Sequence, residues 1–216
     1  LEVQFKSHDV IILVGGSGLF IDALVYGLND LPSDLEVQKK WTSLLEEKGI
    51  EHLQKEVQSR DPEHFERMDT QNPHRLIRTM EILDLTGKTI SENTSEQVVE
   101  REFESHLFVL NPPREKLYDR INQRVEEMMN EGLLEEVKSV AHLRHLQSLN
   151  TVGYKEIFDH LDGNIDLKRA IELIQRNSRR YAKRQLTWFR RNEKAFWIEE
   201  EDLTQRIQII ENQASL

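Results

Sequence analysis

The hydrophobic and polar positions of this chain repeat mainly with a helical period, and the longest such pattern lies at residues 175–192. Apolar side chains recur there every three or four positions, so they form one stripe along a predicted helix. With the preceding turn included, the stripe consists of Ile171, Ile174, Tyr181, Ala182, Leu186 and Phe189. The pattern predicts a long amphipathic helix that packs against a core on one side, and Asp166 is placed to cap its first turn.

Three short apolar runs predict β-strands, at residues 10–14, 106–110 and 195–198. The first, VIILV, is apolar at every position, which is typical of a strand in a parallel sheet that is covered on both faces. Such strands need partners supplied by βα units, and three strands make a small sheet. The sequence therefore predicts an incomplete parallel sheet, which leads to the hypothesis that this chain is the C-terminal part of a longer protein.

Residues 31–96 contain helical patterns with no strand pattern between them. One of the predicted helices begins at Asn72-Pro73, a pair typical of a helix start. We therefore predict a helical domain at residues 31–96, inserted into an α/β core domain formed by residues 1–30 and 97–216. The predicted fold class is α/β and predominantly helical, with a parallel-sheet core that is incomplete in this chain.

A glycine-rich turn, Gly15-Gly16-Ser17-Gly18, separates the first predicted strand from a predicted helix at residues 19–26. Glycines allow a tight turn and close approach of another group, and the N–H groups at a helix start attract anions. The turn is neither a phosphate loop nor a nucleophile elbow, because it lacks the residues that those motifs require. An anion-binding turn and a simple connection both remain open at this point.

Two other patterns imitate functional motifs. The tripeptide GKT at residues 87–89 looks like the end of a phosphate loop, but Ile82 stands where the first glycine is required, so Gly87 is predicted to end a helix. His142 and His145 have the spacing of metal ligands, but no third ligand is placed to complete a site. We predict no metal site in this chain.

Charge is distributed unevenly along the chain. The net charge is -10, with 29 lysines and arginines against 39 acidic residues, yet no acidic residue lies between Glu172 and Glu193. The cations in this interval are Arg176, Arg179, Arg180, Lys183, Arg184, Arg190 and Arg191. Solvated helix faces usually mix both signs, so that opposite charges can pair at i,i+4. An all-basic face therefore favours an anionic partner over the alternative of a merely solvated helix.

Composition excludes several classes of protein. The chain has no cysteine, which rules out disulfides, thiolate metal sites and cysteine nucleophiles within it. No apolar run approaches the ~20 residues that a membrane-spanning helix needs, and the first residues lack the apolar segment of a signal peptide. We therefore predict a cytoplasmic protein with no membrane partner.

Two segments place aromatic residues beside basic ones. Gly153, Tyr154 and Lys155 open a predicted helix, where they could hold a phosphate, stack on a base or simply pack. Trp188 and Phe189 lie among the arginines near the end of the basic helix, as in proteins that stack the bases of single-stranded RNA. Core packing is the alternative for both, and it is the better interpretation of Phe189, which lies on the apolar stripe.

Four segments of the chain resemble, in the same order, segments of bacterial tRNA dimethylallyltransferases. They are VGGSGLF (residues 14–20), DPEHFERMDTQNPHRLIRTMEI (61–82), TVGYKE (151–156) and RRYAKRQLTWFRR (179–191). The resemblance implies a P-loop-kinase-like core with an inserted helical domain. It also implies transfer of a dimethylallyl group from dimethylallyl diphosphate to N6 of adenosine 37 in the tRNA anticodon stem-loop, with Mg²⁺ as cofactor.

The resemblance also implies roles for individual residues. Arg179 matches the family arginine that grips the diphosphate, and Ser17 matches a family threonine near the target nucleotide, so these two are the implied catalytic residues. The residues that match tRNA-contacting segments are Gln38, His74, Arg75, Leu76, Ile77, Arg78, Asn150, Thr151, Val152, Gly153, Tyr154, Lys155, Glu156, Ile157, Lys183, Arg184, Gln185, Leu186, Thr187, Trp188, Phe189 and Arg190.

Part of the family pattern does not occur in this sequence. The G-x-x-x-[ST]-G-K-[ST] phosphate loop and the Asp-Ser motif that carries the family's general base are both missing. We therefore expect this chain by itself to be inactive in prenyl transfer and to lack the Mg²⁺ ligands. We also expect the protein to be a monomer. Two alternatives are an adenylate isopentenyltransferase, which modifies a free nucleotide, and a non-catalytic RNA-binding module. The extended basic surface favours RNA over a mononucleotide, and the glycine turn with Arg179 favours an enzyme over a module.

Overall fold

The computed structural model describes residues 1–27, 31–94 and 101–214. Helices dominate these residues, and their strands form one two-stranded parallel sheet. The predicted fold class, a predominantly helical protein with a small parallel sheet, is confirmed. Across these ranges, every helix is too short or too polar to pass through a membrane.

The described elements follow one another as α1 (Glu2–Phe5), α2 (Gly18–Tyr26), α3 (Leu35–Lys48), α4 (Ile50–Arg60), α5 (Pro62–Arg67), α6 (Pro73–Thr86), α7 (Ile90–Thr94), β1 (Phe108–Leu110), α8 (Arg114–Asn130), α9 (Leu133–Ser139), α10 (Tyr154–Leu161), α11 (Leu167–Phe189), β2 (Phe196–Ile198) and α12 (Leu203–Ala214). Two short 3-10 helices, Ala141–Leu143 and Gln147–Leu149, connect α9 to α10.

The chain folds into two compact units. The core unit consists of Leu1–Gly18 and Glu104–Leu216, and the helical unit consists of Leu19–Phe103. The predicted domain boundaries, after residues 30 and 96, lie 12 and 7 residues from the unit boundaries after Gly18 and Phe103, and both fall at or within residues that the structure does not describe. The predicted division into domains therefore stays a prediction.

The sheet of the core unit pairs β1 with β2 in parallel. Phe108 lies opposite Phe196, and Leu110 lies opposite Ile198. The centres of the two phenylalanine rings are 6.0 Å apart in an edge-to-face arrangement, which is a favourable geometry for aromatic side chains. The strands predicted at residues 106–110 and 195–198 are therefore confirmed, with β1 two residues shorter at its start.

The strand predicted at residues 10–14 is wrong. This segment has no regular secondary structure, and the side chains of Ile12 and Val14 are 82% and 88% exposed. An extended segment becomes a strand only when a neighbouring strand takes up its backbone hydrogen bonds. Within the described residues β1 and β2 pair only with each other, so the apolar run has no partner strand.

The hydrophobic core of the core unit lies where α11 packs against α8 and α10. Its buried side chains are Val125, Leu133, Val137, Ile157, Phe158, Ala170 and Ile174. The carboxylate of Asp166 accepts a hydrogen bond from the backbone N–H of Arg169 at 2.7 Å, which caps α11 as predicted. This packing fixes the position of the long basic helix.

The helical unit is built around α3, α4 and α6, which pack against one another. Its buried side chains are Trp41, Leu53, Val57, Leu76, Met80 and Leu83. The side chain of Asn72 accepts a hydrogen bond from the backbone N–H of Arg75 and begins α6. Gly87 ends this helix with a φ of 67°, in the left-handed region that favours glycine. The interpretation of the GKT tripeptide as a helix end is therefore confirmed.

Candidate nucleic-acid interface

The basic residues of α11 and its C-terminal extension form a surface that we call the basic face. Six of the seven cations are exposed, and Arg179 is half-buried. Over residues 1–27, 31–94 and 101–214, no ion pair joins any of the seven to a carboxylate. Their charge is therefore available to an anion from outside the chain.

Aromatic rings hold several of these cations on the basic face. The guanidinium of Arg184 lies 5.4 Å from the ring centre of Tyr181, and that of Arg191 lies 3.9 Å from the ring centre of Trp188. Such contacts are attractive and leave the positive charge in place. Tyr181 is 44% exposed, so its predicted place on the buried stripe is wrong. The prediction that Phe189 belongs to the core is confirmed, since it is only 8% exposed.

Arg179 is held by two side chains of α8. Its Nη1 donates a hydrogen bond to Oδ1 of Asn122, and its guanidinium lies 5.8 Å from the ring centre of Tyr118. Both partners are neutral. The arginine that the family resemblance assigns to the diphosphate is therefore fixed in position without a carboxylate to cancel its charge.

A cleft of about 350 Å³ lies between the start of α8 and the C-terminal half of α11. Arg114, Tyr118, Lys183, Leu186 and Arg190 contribute to its lining. Lys183 and Arg190 are seven residues apart on α11 and its extension, which places both on one side of the helix. The cleft therefore combines three cations and one carboxylate, that of Glu199, with apolar and aromatic walls. Its net positive lining suits an anionic ligand with an organic part.

The glycine turn packs against the same part of α11. A Cβ atom on Gly16 would overlap the side-chain amide of Gln185, and one on Gly18 would overlap the indole ring of Trp188. Ser17, between the two glycines, is exposed. The fold thus brings Ser17 beside the C-terminal half of α11, and the glycines are required by this close approach.

The segment at residues 150–157 divides into buried and exposed positions. Glu156 is 4% exposed and Ile157 is fully buried. The carboxylate of Glu156 accepts hydrogen bonds from the backbone N–H of Gly153 at 2.8 Å and from the side-chain amide of Asn177 at 2.6 Å. Glu156 therefore stabilises the start of α10 and joins it to α11, so it is not placed to contact a tRNA directly.

Several other residues of the segment at residues 150–157 are accessible from solvent. Asn150 and Lys155 line a second cleft, of about 270 Å³, together with Arg144. Thr151 is also exposed, and Val152 and Tyr154 are half-buried. These residues, rather than Glu156 and Ile157, are accessible to a ligand from solvent.

The predicted tRNA residues of the helical unit are also of two kinds. His74 and Arg75 are exposed, whereas Leu76 is fully buried in the unit's core. Ile77 is half-buried and packs on the same core. Arg78 donates hydrogen bonds to the backbone carbonyls of Leu31 and Pro32 and to the carboxylate of Glu81. Only His74 and Arg75 of this segment therefore present side chains without an internal structural role.

Glu81 is a buried carboxylate that the sequence reasoning missed. It is fully buried, and it accepts hydrogen bonds from Ser33, the Asp34 N–H, Gln38 and Arg78. Burial by itself raises the pKa of Glu81, but these hydrogen bonds outweigh it and lower the pKa to about 2. The sequence feature that could have predicted this buried carboxylate is the spacing of Arg78 and Glu81, which lie three residues apart in a helix with several apolar residues.

The network around Glu81 also places Gln38. The side-chain amide of Gln38 donates to Glu81 and to Ser33, each at 3.0 Å. This residue is thus engaged within the helical unit, and its predicted contact with tRNA stays a prediction.

Metal ligands are not assembled in the parts of the chain that the structure describes. These residues contain no group of three or more histidine, aspartate or glutamate side chains that could hold a metal ion. His142 and His145 lie in and beside the first 3-10 helix and are both exposed. The described residues therefore contain no assembled set of three such ligands, and the use of Mg²⁺ stays a prediction.

Comparison with known proteins identifies the family. Residues 2–192 match the family described as IPP transferase. The chain is 44% identical to a tRNA dimethylallyltransferase of Bacteroides thetaiotaomicron over 97% of its own length and 68% of the relative. It is 45% identical to one of Christiangramia forsetii, with 96% of the chain and 69% of the relative covered.

Solved structures agree with this result. A tRNA isopentenylpyrophosphate transferase of Bacillus halodurans superposes with a TM-score of 0.57 and 34% identity, over 92% of this chain and 63% of that protein. A eukaryotic dimethylallyltransferase acting on tRNA superposes with a TM-score of 0.73 over 99% of this chain and 57% of that protein; at 23% identity this likeness shows the fold alone. The resemblance to tRNA dimethylallyltransferases is confirmed, and the chain belongs to the IPP transferase family of tRNA-modifying prenyltransferases.

Proposed function

We propose that this chain supplies the tRNA-binding surface and the diphosphate-binding arginine of an enzyme that transfers a dimethylallyl group from dimethylallyl diphosphate to N6 of adenosine 37 in tRNA. The observation that carries the proposal is the basic face. A chain with a net charge of -10 keeps seven cations together without an ion pair to any carboxylate in its described parts. This arrangement stabilises a bound polyanion at the cost of repulsion within the protein.

The proposed reaction is an alkyl transfer in which one bond replaces another. The target base leaves its stack so that its exocyclic amine can reach the donor. The N6 lone pair attacks C1 of the dimethylallyl group, and the C1–O bond breaks. The electron pair of that bond leaves with the diphosphate, and the proton lost by N6 passes to a general base, for which this chain offers no assigned residue.

Arg179 has the role that the structure supports best in this reaction. Negative charge grows on the diphosphate as the C1–O bond breaks, so a fixed guanidinium stabilises the transition state more than the bound donor. Asn122 and Tyr118 hold Arg179 without neutralising it. Ser17 is exposed beside Gln185 and Trp188, where it would contact the target nucleotide.

The residues proposed to contact tRNA are exposed, and each unit contributes its own set. In the core unit they are Ser17, Asn150, Thr151, Lys155, Lys183, Arg184, Thr187 and Arg190, and in the helical unit they are His74 and Arg75. We extend the proposal to a monomeric enzyme that binds the anticodon stem-loop, uses Mg²⁺ and acts in the cytoplasm. Light scattering and the metal dependence of turnover test the oligomeric state and the cofactor.

Binding of an anticodon stem-loop tests the proposed surface. Lys183→Ala and Arg190→Ala should each weaken binding by about tenfold at low salt and reduce the slope of log K against log salt by about one. Lys168→Ala is the matched control, because Lys168 is an exposed cation in the first turn of the same helix. Equal losses of affinity in all three variants would show that net charge alone drives binding. No loss of affinity in any variant would refute the proposed binding surface. Competition with AMP separates this function from an adenylate isopentenyltransferase, which would bind the nucleotide in preference.

A further inference from the structure

The side chain of Tyr118 gathers two guanidinium groups that belong to different helices. The guanidinium of Arg114, at the start of α8, lies 5.1 Å from the ring centre, and that of Arg179, on α11, lies 5.8 Å from it. Nε of Arg114 also donates a hydrogen bond to the Tyr118 hydroxyl at 3.0 Å. Two like charges repel each other, and the electron-rich ring face offsets part of that repulsion.

Asn122 adds a second constraint, one helical turn after Tyr118. Its side-chain carbonyl accepts a hydrogen bond from Nη1 of Arg179. Its backbone carbonyl accepts one from Gln175 at 3.5 Å, on the turn of α11 before Arg179. A carboxylate at position 122 would hold the guanidinium equally well but would cancel its charge, whereas an amide holds it and leaves the charge available.

Arg114 and Tyr118 open onto the 350 Å³ cleft that Lys183 and Arg190 also line. The carboxylate in this lining, Glu199, accepts a hydrogen bond from the side-chain amide of Asn111 at 3.0 Å and makes no ion pair within the described part of the chain. Positive charge therefore exceeds negative charge around the cleft. Nothing in the family resemblance assigned Arg114, Tyr118 or Asn122 a role.

We propose that Arg114 is a second binding residue for the diphosphate of the prenyl donor, and that Tyr118 and Asn122 are positioning residues that hold Arg114 and Arg179 for it. The proposal rests on the proposed function for the identity of the anion. Two guanidiniums gathered on one ring suit a ligand with two phosphoryl groups, because each group can accept hydrogen bonds from one arginine. The charge that leaves with the diphosphate is then shared between them.

The test uses the protein as its gene encodes it, with inorganic pyrophosphate as the probe in calorimetry. Arg114→Gln should raise the Kd for pyrophosphate by about tenfold, the value of one charge-assisted hydrogen bond. Tyr118→Leu should raise it by a similar factor, and Tyr118→Trp should recover most of the loss, because it restores an aromatic face. Lys168→Gln, an exposed cation removed from another part of α11, should leave the Kd within about twofold.

A matched pair of charge changes isolates the role of Asn122. Asn122→Asp should raise the Kd for pyrophosphate by about tenfold, since the new carboxylate pairs with Arg179. Gln123→Glu makes the same charge change at the next, exposed position of α8 and should have less than about a threefold effect. Equal effects at the two positions would overturn the positioning role.

Turnover separates this inference from the proposed function. In prenyl transfer, the variants should raise KM for dimethylallyl diphosphate or lower kcat, while KM for tRNA stays within about twofold. Loss of tRNA affinity to the same degree would mean that the variants disturb the fold, which overturns the inference. If the unaltered protein transfers no prenyl group, the proposed function fails, whereas pyrophosphate affinity still tests the arginine pair.

Discussion

Asn177 of α11 donates a 2.6 Å hydrogen bond to Glu156 of α10, a side chain that is only 4% exposed. The other oxygen of the same carboxylate accepts the Gly153 N–H at 2.8 Å. One buried acid therefore completes the first turn of α10 and fixes the middle of the basic helix. A residue that the family resemblance placed among the tRNA contacts has a structural task instead.

Replacement of this acid should destabilise the fold. Glu156→Ala leaves the Asn177 amide and the Gly153 N–H buried without their acceptor, which should lower the free energy of unfolding by about 2 kcal/mol or more. Chemical denaturation measures this change. Lys155→Ala, at the exposed neighbouring position, should stay within about 0.5 kcal/mol. A loss of stem-loop affinity in Glu156→Ala at unchanged stability would contradict the structural role.

The glycine turn allows a prediction based on space alone. None of Gly15, Gly16 and Gly18 has a positive φ, so alanine is compatible with the backbone at each. Gly18→Ala would force a methyl group into the rigid indole of Trp188 and should cost about 2 kcal/mol. Gly16→Ala meets only the flexible end of Gln185 and should cost less. Gly15→Ala meets nothing within 4 Å and serves as the control.

A thermal denaturation series gives the order of these three variants. If all three lose the same amount of stability, or if Gly15→Ala loses the most, the close approach of the turn to α11 is refuted. Gly18→Ala should also weaken stem-loop binding, because Trp188 cannot then keep its position on the basic face.

The carboxylate of Glu81 predicts how stability depends on pH. Its pKa in the folded protein is lowered to about 2 from an ordinary value of 4.5, so its ionised form stabilises the fold. This contribution, about 3 kcal/mol, is present above pH 4.5 and is lost as the pH falls toward 2. Denaturation from pH 7 to pH 2 should show a flatter profile for Glu81→Gln. Glu66→Gln, an exposed position, should keep the original profile.

The two arginines of the HRLIR segment (residues 74–78) should have different roles, one in stability and one in RNA binding. Arg78→Ala leaves the buried Glu81 carboxylate without its ion pair and should cost about 3 kcal/mol of stability. Arg75 is exposed and makes no ion pair in the described residues, so Arg75→Ala should keep the stability and weaken stem-loop binding by about fivefold. Chemical denaturation measures the stability of both variants, and fluorescence anisotropy of a labelled stem-loop measures their affinity. A stability loss in Arg75→Ala together with normal stability in Arg78→Ala would refute the prediction.

Local signals in the sequence were sufficient for much of the fold. The recurrence of apolar residues every three or four positions predicted α11. Asp166 and Gly87 were correctly placed at helix ends, because caps depend on neighbouring backbone groups alone. The strand at residues 10–14 was predicted wrongly, since a strand depends on a partner that local pattern does not reveal.

The candidate site was predictable in charge but less so in detail. The absence of acids around Arg179 indicated an anion-binding helix, whereas burial divided the matched segments in a way that motif spacing could not show. Glu156, Ile157 and Leu76 belong to the same motifs as their exposed neighbours, yet their side chains are buried. Asn122 and Tyr118 were missed because they lie some 60 residues from Arg179 in sequence and meet it only through the packing of α8 on α11.

The clustered cations of α11 give stability and affinity opposite responses to ionic strength. Arg176, Arg180 and Arg184 follow one another at four-residue intervals, so their mutual repulsion strains the free helix. Dissolved ions screen that repulsion within a distance of about 10 Å at 0.1 M. Moderate NaCl should therefore raise the melting temperature of the unliganded protein and weaken its binding of RNA. Bound RNA should stabilise α11 in the same way as added salt, by reducing the repulsion between its cations.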